Sequence, residues 1–310
     1  MSTLFVTHPA CLDHLTPPGH PERPERLRAI EMVFQAKKFD ALVRELAPAV
    51  PLETVALCHP MDYVETLRQL SPENGGTARL DADTSMSSGS FEAAMRAVGG
   101  IVHAVDAVIG KKVSNAFCAV RPPGHHAETA RAMGFCLFNS AAIAARYAQD
   151  RHELGRVAIV DFDVHHGNGS QEIFWSDASV MYCSTHEMPL YPGSGAISER
   201  GEHDNIVNAP LRAGDGGEQF RAAFETRILP RLAAFGPELI VISAGFDAHM
   251  RDPLANLNLV ETDYAWVTDK IMAIADKTAD GRIVSVLEGG YDLEGLAQSA
   301  AAHVGALMQG

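Results

Sequence analysis

Residues 156–169, RVAIVDFDVHHGNG, run a β-branched apolar stretch straight into two aspartates and two adjacent histidines. A near-continuous apolar run marks a strand covered on both faces, as in a parallel sheet, because a strand with one wet face would alternate. Four more runs share the pattern: NAFCAV at 115–120, SVMYCS at 179–184, ELIVIS at 238–243 and RIVSVL at 282–287. Helical patterns lie between them. One runs from Ser90, expected as an N-cap, to a stop at Gly110, and others start at 139, 217 and 261. This alternation predicts one α/β domain over residues 1–310, a three-layer α/β/α sandwich around a central, mainly parallel sheet. Its ligand site should lie beyond the carboxyl ends of the strands. SPENGGTARLDADTSMSSGS at 71–90 reads as a surface loop, and TPPGHPERPERLRAI at 16–30 as a rigid loop entering a helix.

Composition narrows the class. With 46% hydrophobic and 21% charged residues, 26 Gly and 17 Pro in 310 residues, the disordered, collagen-like and disulfide-rich classes are excluded. A net charge of −14 argues against a nucleic-acid partner and mildly favours cationic substrates such as lysine-rich tails or polyamines. Cys11, Cys58, Cys118, Cys136 and Cys183 are odd in number, widely spaced and without a CxxC pair, so reduced thiols are expected rather than bridges or a zinc ribbon. MSTLFVTHPACLDH has no basic region leading into an apolar core, and no stretch reaches the roughly 20 apolar residues of a membrane span. The expectation is a cytoplasmic protein without a membrane partner; a homo-oligomer stays open.

The polar ends of the apolar runs carry the chemistry. If the first strand stays extended, Asp161, Asp163 and His165 share one face and Phe162 and Val164 the other. A helix-capping Asp followed by surface histidines is the bland alternative. It weakens because ELIVISAGFDAHMRDP sets Asp247 just past a second buried strand, at the same sheet edge. Asp163, His165 and Asp247, with no fourth protein ligand, describe an open metal site; Zn²⁺ is the default, and Fe²⁺ or Co²⁺ accept the same mixed set. RPPGHHA at 121–127 ends a third run with His125 and His126, which are either solvated or able to move a proton beside a metal. LEGGYDL at 287–293 ends a fourth, its glycines permitting a tight turn that presents Tyr291, either for packing or for donating to an oxyanion.

HPERPERL (20–27), RPPGHHA (121–127), GFCLFN (134–139), DFDVHHGNGSQEIF (161–174), SAGFDAHMRDPL (243–254) and LEGGYDL (287–293) together resemble the histone deacetylase family, in its class II and bacterial class II-like branch. The resemblance spans nearly the whole chain. It implies an arginase/deacetylase-like fold, a single catalytic domain, and removal of acetyl or other acyl groups from acyl-lysine in peptide or protein, with acetylated polyamine as the alternative substrate. It implies Asp163, His165 and Asp247 as Zn²⁺ ligands, His126 as general base then acid, His125 as electrostatic helper and Tyr291 as oxyanion donor. Asp161 matches the carboxylate behind His125, and Asn168 the class II amide behind His126, which should leave that histidine less basic than a carboxylate would.

Gly134, Phe135 and Tyr191 match the acyl-lysine tunnel and Leu254 its rim, where polyamine-selective relatives often carry an acidic residue. Asp81 and Asp83 remain candidates at the mouth, for a second cation or a peptide backbone. The family's structural K⁺ would fall to Asp161, Asp163, His165 and Ser184 with nearby carbonyls, and a second cation site would lie near Phe174, Asp177 and Val180. His166 is left to structural support. Two rivals are a binuclear manganese ureohydrolase, which needs further aspartates, and a non-catalytic acyl-lysine-binding module, against which the intact Tyr291 and ligand set speak.

Overall fold

Eight strands form one sheet in the order β2-β1-β5-β10-β9-β6-β7-β8, and every neighbouring pair runs parallel. The structure is a computed structural model and describes residues 2–73 and 75–309. The five apolar runs become β5 (Asn115–Cys118), β6 (Val157–Asp161), β7 (Val180–Glu187), β9 (Leu239–Ala244) and β10 (Ile283–Leu287). All five are buried at every residue, so both faces are covered, as the unbroken apolar runs require.

Three sheet strands lack that signature: β1 (Thr3–Thr7), β2 (Val43–Leu46) and β8 (Ile206–Leu211). β2 is an exposed edge, and β8 is the other edge, where Pro210 is tolerated because one side of the strand needs no ladder donor. The 71–90 segment is not wholly irregular. Its short strands β3 (Ala78–Arg79) and β4 (Ser85–Met86) pair antiparallel, so that Asp81 and Asp83 sit in a fixed turn; Asn74 lies outside the described residues.

The helices are α1 (Glu25–Val33), α2 (Leu52–Val55), α3 (Met61–Leu70), α4 (Ser90–Ile109), α5 (Ser140–His152), α6 (Asn168–Ile173), α7 (Gly217–Ala223), α8 (Leu229–Phe235), α9 (Glu261–Thr278) and α10 (Leu293–Leu307). α4 packs on α5, while α1, α10, α9 and α8 pack in a row, so the two groups form the outer layers. Ser90 is not an N-cap: it is the first residue of α4, and its Oγ meets His14 Nδ1 at 2.6 Å and accepts from the Ser87 N–H at 2.7 Å. Asn139 does cap α5, accepting from the Ala142 N–H at 3.0 Å. The expected helix from 217 is interrupted by a π turn at Phe224–Ile228; Pro230 has no N–H for the Thr226 carbonyl, which favours the wider turn. Among the described residues no helix is long and apolar enough to cross a membrane.

Register sets the site. Cys118 pairs with Val286, Val286 with Ser243 and Ser243 with Asp161, so four adjacent strands release their chains at one level. The histidine pair, the GGY turn, Asp247 and the DFDVHH segment all follow from that edge.

Candidate active site

β6 ends at Asp161 and does not stay extended through His165. Asp161 Oδ1 accepts the Asp163 N–H at 3.1 Å, and Asp163 Oδ1 accepts the His165 N–H at 2.9 Å. These side-chain-to-backbone bonds bend the chain after the strand, and the bend, not strand alternation, brings Asp163 and His165 together.

Asp163, His165 and Asp247 offer ligand atoms that all lie within 4.8 Å of one another, all from buried residues. His165 Nδ1 is 3.2 Å from Asp163 Oδ1 and 3.1 Å from Asp247 Oδ2. Backbone donors brace the carboxylates: Gly289 N–H to Asp163 Oδ2 at 2.8 Å and Val164 N–H to Asp247 Oδ1 at 2.9 Å. A Cβ on Gly289 would overlap Asp247 and Asp163, so the bare backbone is a condition of the cluster. Burial pushes the Asp247 carboxyl up, and the charge of Asp163 adds to the shift. Burial opposes charge on His165, but hydrogen bonds to both carboxylates outweigh it and carry the imidazole up to about 10. Two buried carboxylates on one imidazole make a negative pocket suited to a divalent cation, and one nitrogen with two oxygens leaves positions open for water and substrate.

His125 and His126 stand beside the cluster, with ring centroids 4.1 Å apart. His125 Nδ1 donates to Asp161 Oδ2 at 2.9 Å, and Tyr182 Oη donates to the same oxygen at 3.0 Å. His126 Nδ1 lies 2.8 Å from Asn168 Oδ1. Their titrations diverge. Burial alone would lower His125, but Asp161, Asp163 and Glu288 outweigh it and hold it well above the usual range. His126 is held well below by burial, with His125 and His165 adding to it. The two adjacent imidazoles are thus pushed in opposite directions, the kind of separation that divides acid from base roles.

Tyr291 follows Gly290, whose φ of +121° excludes most side chains. Its N–H donates to Asp252 Oδ2 at 2.7 Å, and burial raises its hydroxyl well above the usual range, so the O–H stays available as a donor. The ring forms one wall of a cavity of about 230 Å³ lined by Asp83, His126, Gly134, Phe135, His165, Leu190, Tyr191, Leu254 and Tyr291. Gly134 must be bare because a Cβ there would overlap His126. Phe135, at φ 69°, has its N–H held by Thr84 Oγ at 3.0 Å, which ties the wall to the hairpin turn that carries Asp83.

The structure therefore gathers His125, His126, Asp163, His165, Asp247, Tyr291 and the expected wall residues at one point, with Asp161 and Asn168 directly behind. Ser184 lies opposite Asp161 in the β6–β7 register, its Oγ 2.8 Å from His186 Nδ1. His166 bonds Ser194 Oγ at 2.8 Å and Gln171 Oε1 at 3.1 Å, tying down the loop that carries Tyr191. Near the expected second cation site, the carbonyls of Phe174, Asp177 and Val180 all meet Asn205 Nδ2, at 2.9, 3.0 and 2.9 Å.

Several supporting residues had no role in the sequence reading. Glu288 accepts the N–H groups of Gly124 and His125 at 2.6 and 3.1 Å; burial pushes its carboxyl up to about 7. Its signal was available: a carboxylate ending an apolar run, as at Asp161. Fully buried Glu22 bridges buried Arg26 and Arg121, and Arg26 Nε donates to the Gly290 carbonyl at 2.6 Å. Charges in the Pro-stiffened HPERPERL segment were the only sequence cue. Asp252 and Tyr182 gave none.

Residues 20–307 match the family model described as the histone deacetylase domain. A "Probable deacetylase" of Archaeoglobus fulgidus is 40% identical over 304 residues, covering 95% of this chain and 83% of that protein. A "Histone deacetylase-like amidohydrolase" of Pseudomonas aeruginosa is 38% identical over 279 residues, covering 88% of this chain and 73% of its own length. A solved structure described as "Crystal Structure of HDA15 HD domain" superposes with a TM-score of 0.94 at 34% identity, covering 99% of this chain and 88% of that one.

Proposed function

Because the chain belongs to the histone deacetylase family, with its arginase-like α/β fold, and is a deacetylase, we propose that it hydrolyses the side-chain amide of acetylated lysine in peptides or proteins. The observation that carries this reading is the convergence, at one narrow cavity, of three buried side chains able to hold a metal, a histidine whose titration burial holds low and a tyrosine whose hydroxyl burial holds high. In this proposal Asp163, His165 and Asp247 hold Zn²⁺, with Fe²⁺ or Co²⁺ also suited to the set. The bound ion supplies Lewis acidity, which makes water acidic near pH 7 and polarises an amide carbonyl.

The chain's own residues do the rest. His126, neutral and facing the cavity, takes the proton of the attacking water and returns it to the departing amine. His125, held charged by Asp161, offsets developing negative charge without needing to move a proton. Tyr291 Oη donates to the oxyanion from a site where burial makes such a bond strong. Phe135 and Tyr191 flank the alkyl chain of the substrate and keep water away from it.

Leu254 offers no charge at the rim, which favours a lysine in a chain over a polyamine with a second ammonium. Asp83 is then placed to accept from a peptide backbone. Asp161 has His125 as its sole ion-pair partner among the described residues, and Ser184 lies across from it, so a K⁺ held by Asp161, Asp163, His165 and Ser184 belongs to the same proposal. So do a single catalytic domain over 1–310 and a cytoplasmic setting, the latter supported by five unpaired, buried cysteines. The test is a comparison of kcat/KM for acetyl-lysine peptides against N-acetylputrescine and N-acetylspermidine with defined metals; preference for the polyamines would replace the lysine reading.

A further inference from the structure

Asn168 raises a problem that an aspartate in its place would not. A carboxylate behind His126 can only accept, which fixes the histidine's proton on Nδ1; an amide can present either its oxygen or its NH₂. Something must choose the orientation. Asn168 Nδ2 donates to Glu128 Oε1 at 2.8 Å, with the His126 carbonyl at 3.5 Å and Met133 Sδ at 3.3 Å as weaker partners. Flipping the amide would set Asn168 Oδ1 against the Glu128 carboxylate, two acceptors with no proton between them. Glu128 is itself fixed in a tight turn, its N–H donating to the Arg131 carbonyl at 3.0 Å, and Arg131 Nη1 stands 4.0 Å from its Oε2.

We propose that Glu128 is a positioning residue, the last member of a His126–Asn168–Glu128 hydrogen-bonded chain that sets the proton of His126 on Nδ1 and leaves Nε2 free to accept. The chain makes the amide act as a carboxylate would. Glu128 touches neither the cavity nor the metal cluster, and it acts only through Asn168. The inference rests on the reading of His126 as the base.

The test is a double-mutant cycle with a tautomer readout. Glu128→Ala should lower kcat about tenfold with KM changed less than twofold, and Glu128→Gln, which keeps an acceptor, should stay within threefold of wild type. In an Asn168→Ala background, Glu128→Ala should cost less than twofold further. Thermal unfolding midpoints check that the variants fold. In metal-free protein labelled with ¹⁵N-histidine, the resonance lost in His126→Ala should report the Nδ1–H tautomer in wild type and a mixed or Nε2–H form in Glu128→Ala. An unchanged kcat or tautomer in Glu128→Ala, or an equal loss with and without Asn168, overturns the inference. Full activity in His126→Ala would instead overturn the reading beneath it, and the tautomer measurement would still judge Glu128.

Discussion

The guanidinium of Arg26 lies over the ring of Tyr291, 4.9 Å from its centroid, while its Nη1 is held by Glu22 at 3.0 Å. Glu22 also pairs with Arg121, and all three side chains are fully buried. Breaking a buried ion network by removing one partner strands the remaining charges, which costs about 3–5 kcal/mol. Glu22→Ala should lower the unfolding free energy by about that amount in denaturant titrations. A loss under about 1 kcal/mol would show that the arginines find other partners.

His126→Ala and Tyr291→Phe should each lower kcat by about 10²-fold or more while metal content stays at the wild-type level. Elemental analysis beside steady-state kinetics checks both halves. Turnover near wild type in either variant contradicts its assigned role.

Gly289→Ala should lose the metal outright, since the added Cβ would occupy the space of Asp163 and Asp247. Asp163→Ala should do the same by removing one of the proposed ligands. Metal retained at wild-type affinity in Gly289→Ala would mean that the two carboxylates can move apart.

The apolar runs made the sheet centre legible because strands buried on both faces must be apolar throughout, whereas β2 and β8 lie at the edges, where no such demand operates. The proposed ligands and the histidine pair beside them stood out because polar residues that end buried strands need a reason to be there. Glu288 met that criterion too. The rest depended on contacts across long separations in the chain. Asp252 holds the N–H of Tyr291, and Glu22 reaches Arg121, 99 residues further along, and nothing local in the sequence announces either pairing.

Acid should weaken the fold through histidines that burial keeps neutral. His303, among three phenylalanine rings, is pushed down to about 3, and His59, whose Nε2 accepts the Asn139 N–H at 2.9 Å, to about 4. The unfolded chain binds these protons near pH 6.5, so their stabilising contribution is complete above that pH and is lost as pH falls towards 4 and 3. Glu288 and Asp252, each pushed up to about 7 with burial the main cause, pull the opposite way in the same window. The clean readout is therefore a difference: between pH 4.5 and 6.5 the slope of unfolding free energy against pH should be less positive in His303→Gln than in wild type, by up to about 1.4 kcal/mol per pH unit. Parallel curves would mean that His303 takes its proton in the folded state.

Leu254→Glu should place a carboxylate at the cavity rim and raise kcat/KM for N-acetylspermidine by roughly two- to fivefold, the range of a solvated ion pair, with a smaller gain for the shorter N-acetylputrescine. No gain for either polyamine would remove Leu254 as a determinant of substrate choice.

The most direct test of metal-dependent deacetylation is acetate release from an acetyl-lysine peptide by the purified protein, stripped of metal and then reloaded with one equivalent of Zn²⁺. Turnover should be absent in the stripped protein, return on reloading, and fail to return in Asp247→Ala. Full activity in the stripped protein, or in Asp247→Ala, would contradict metal dependence.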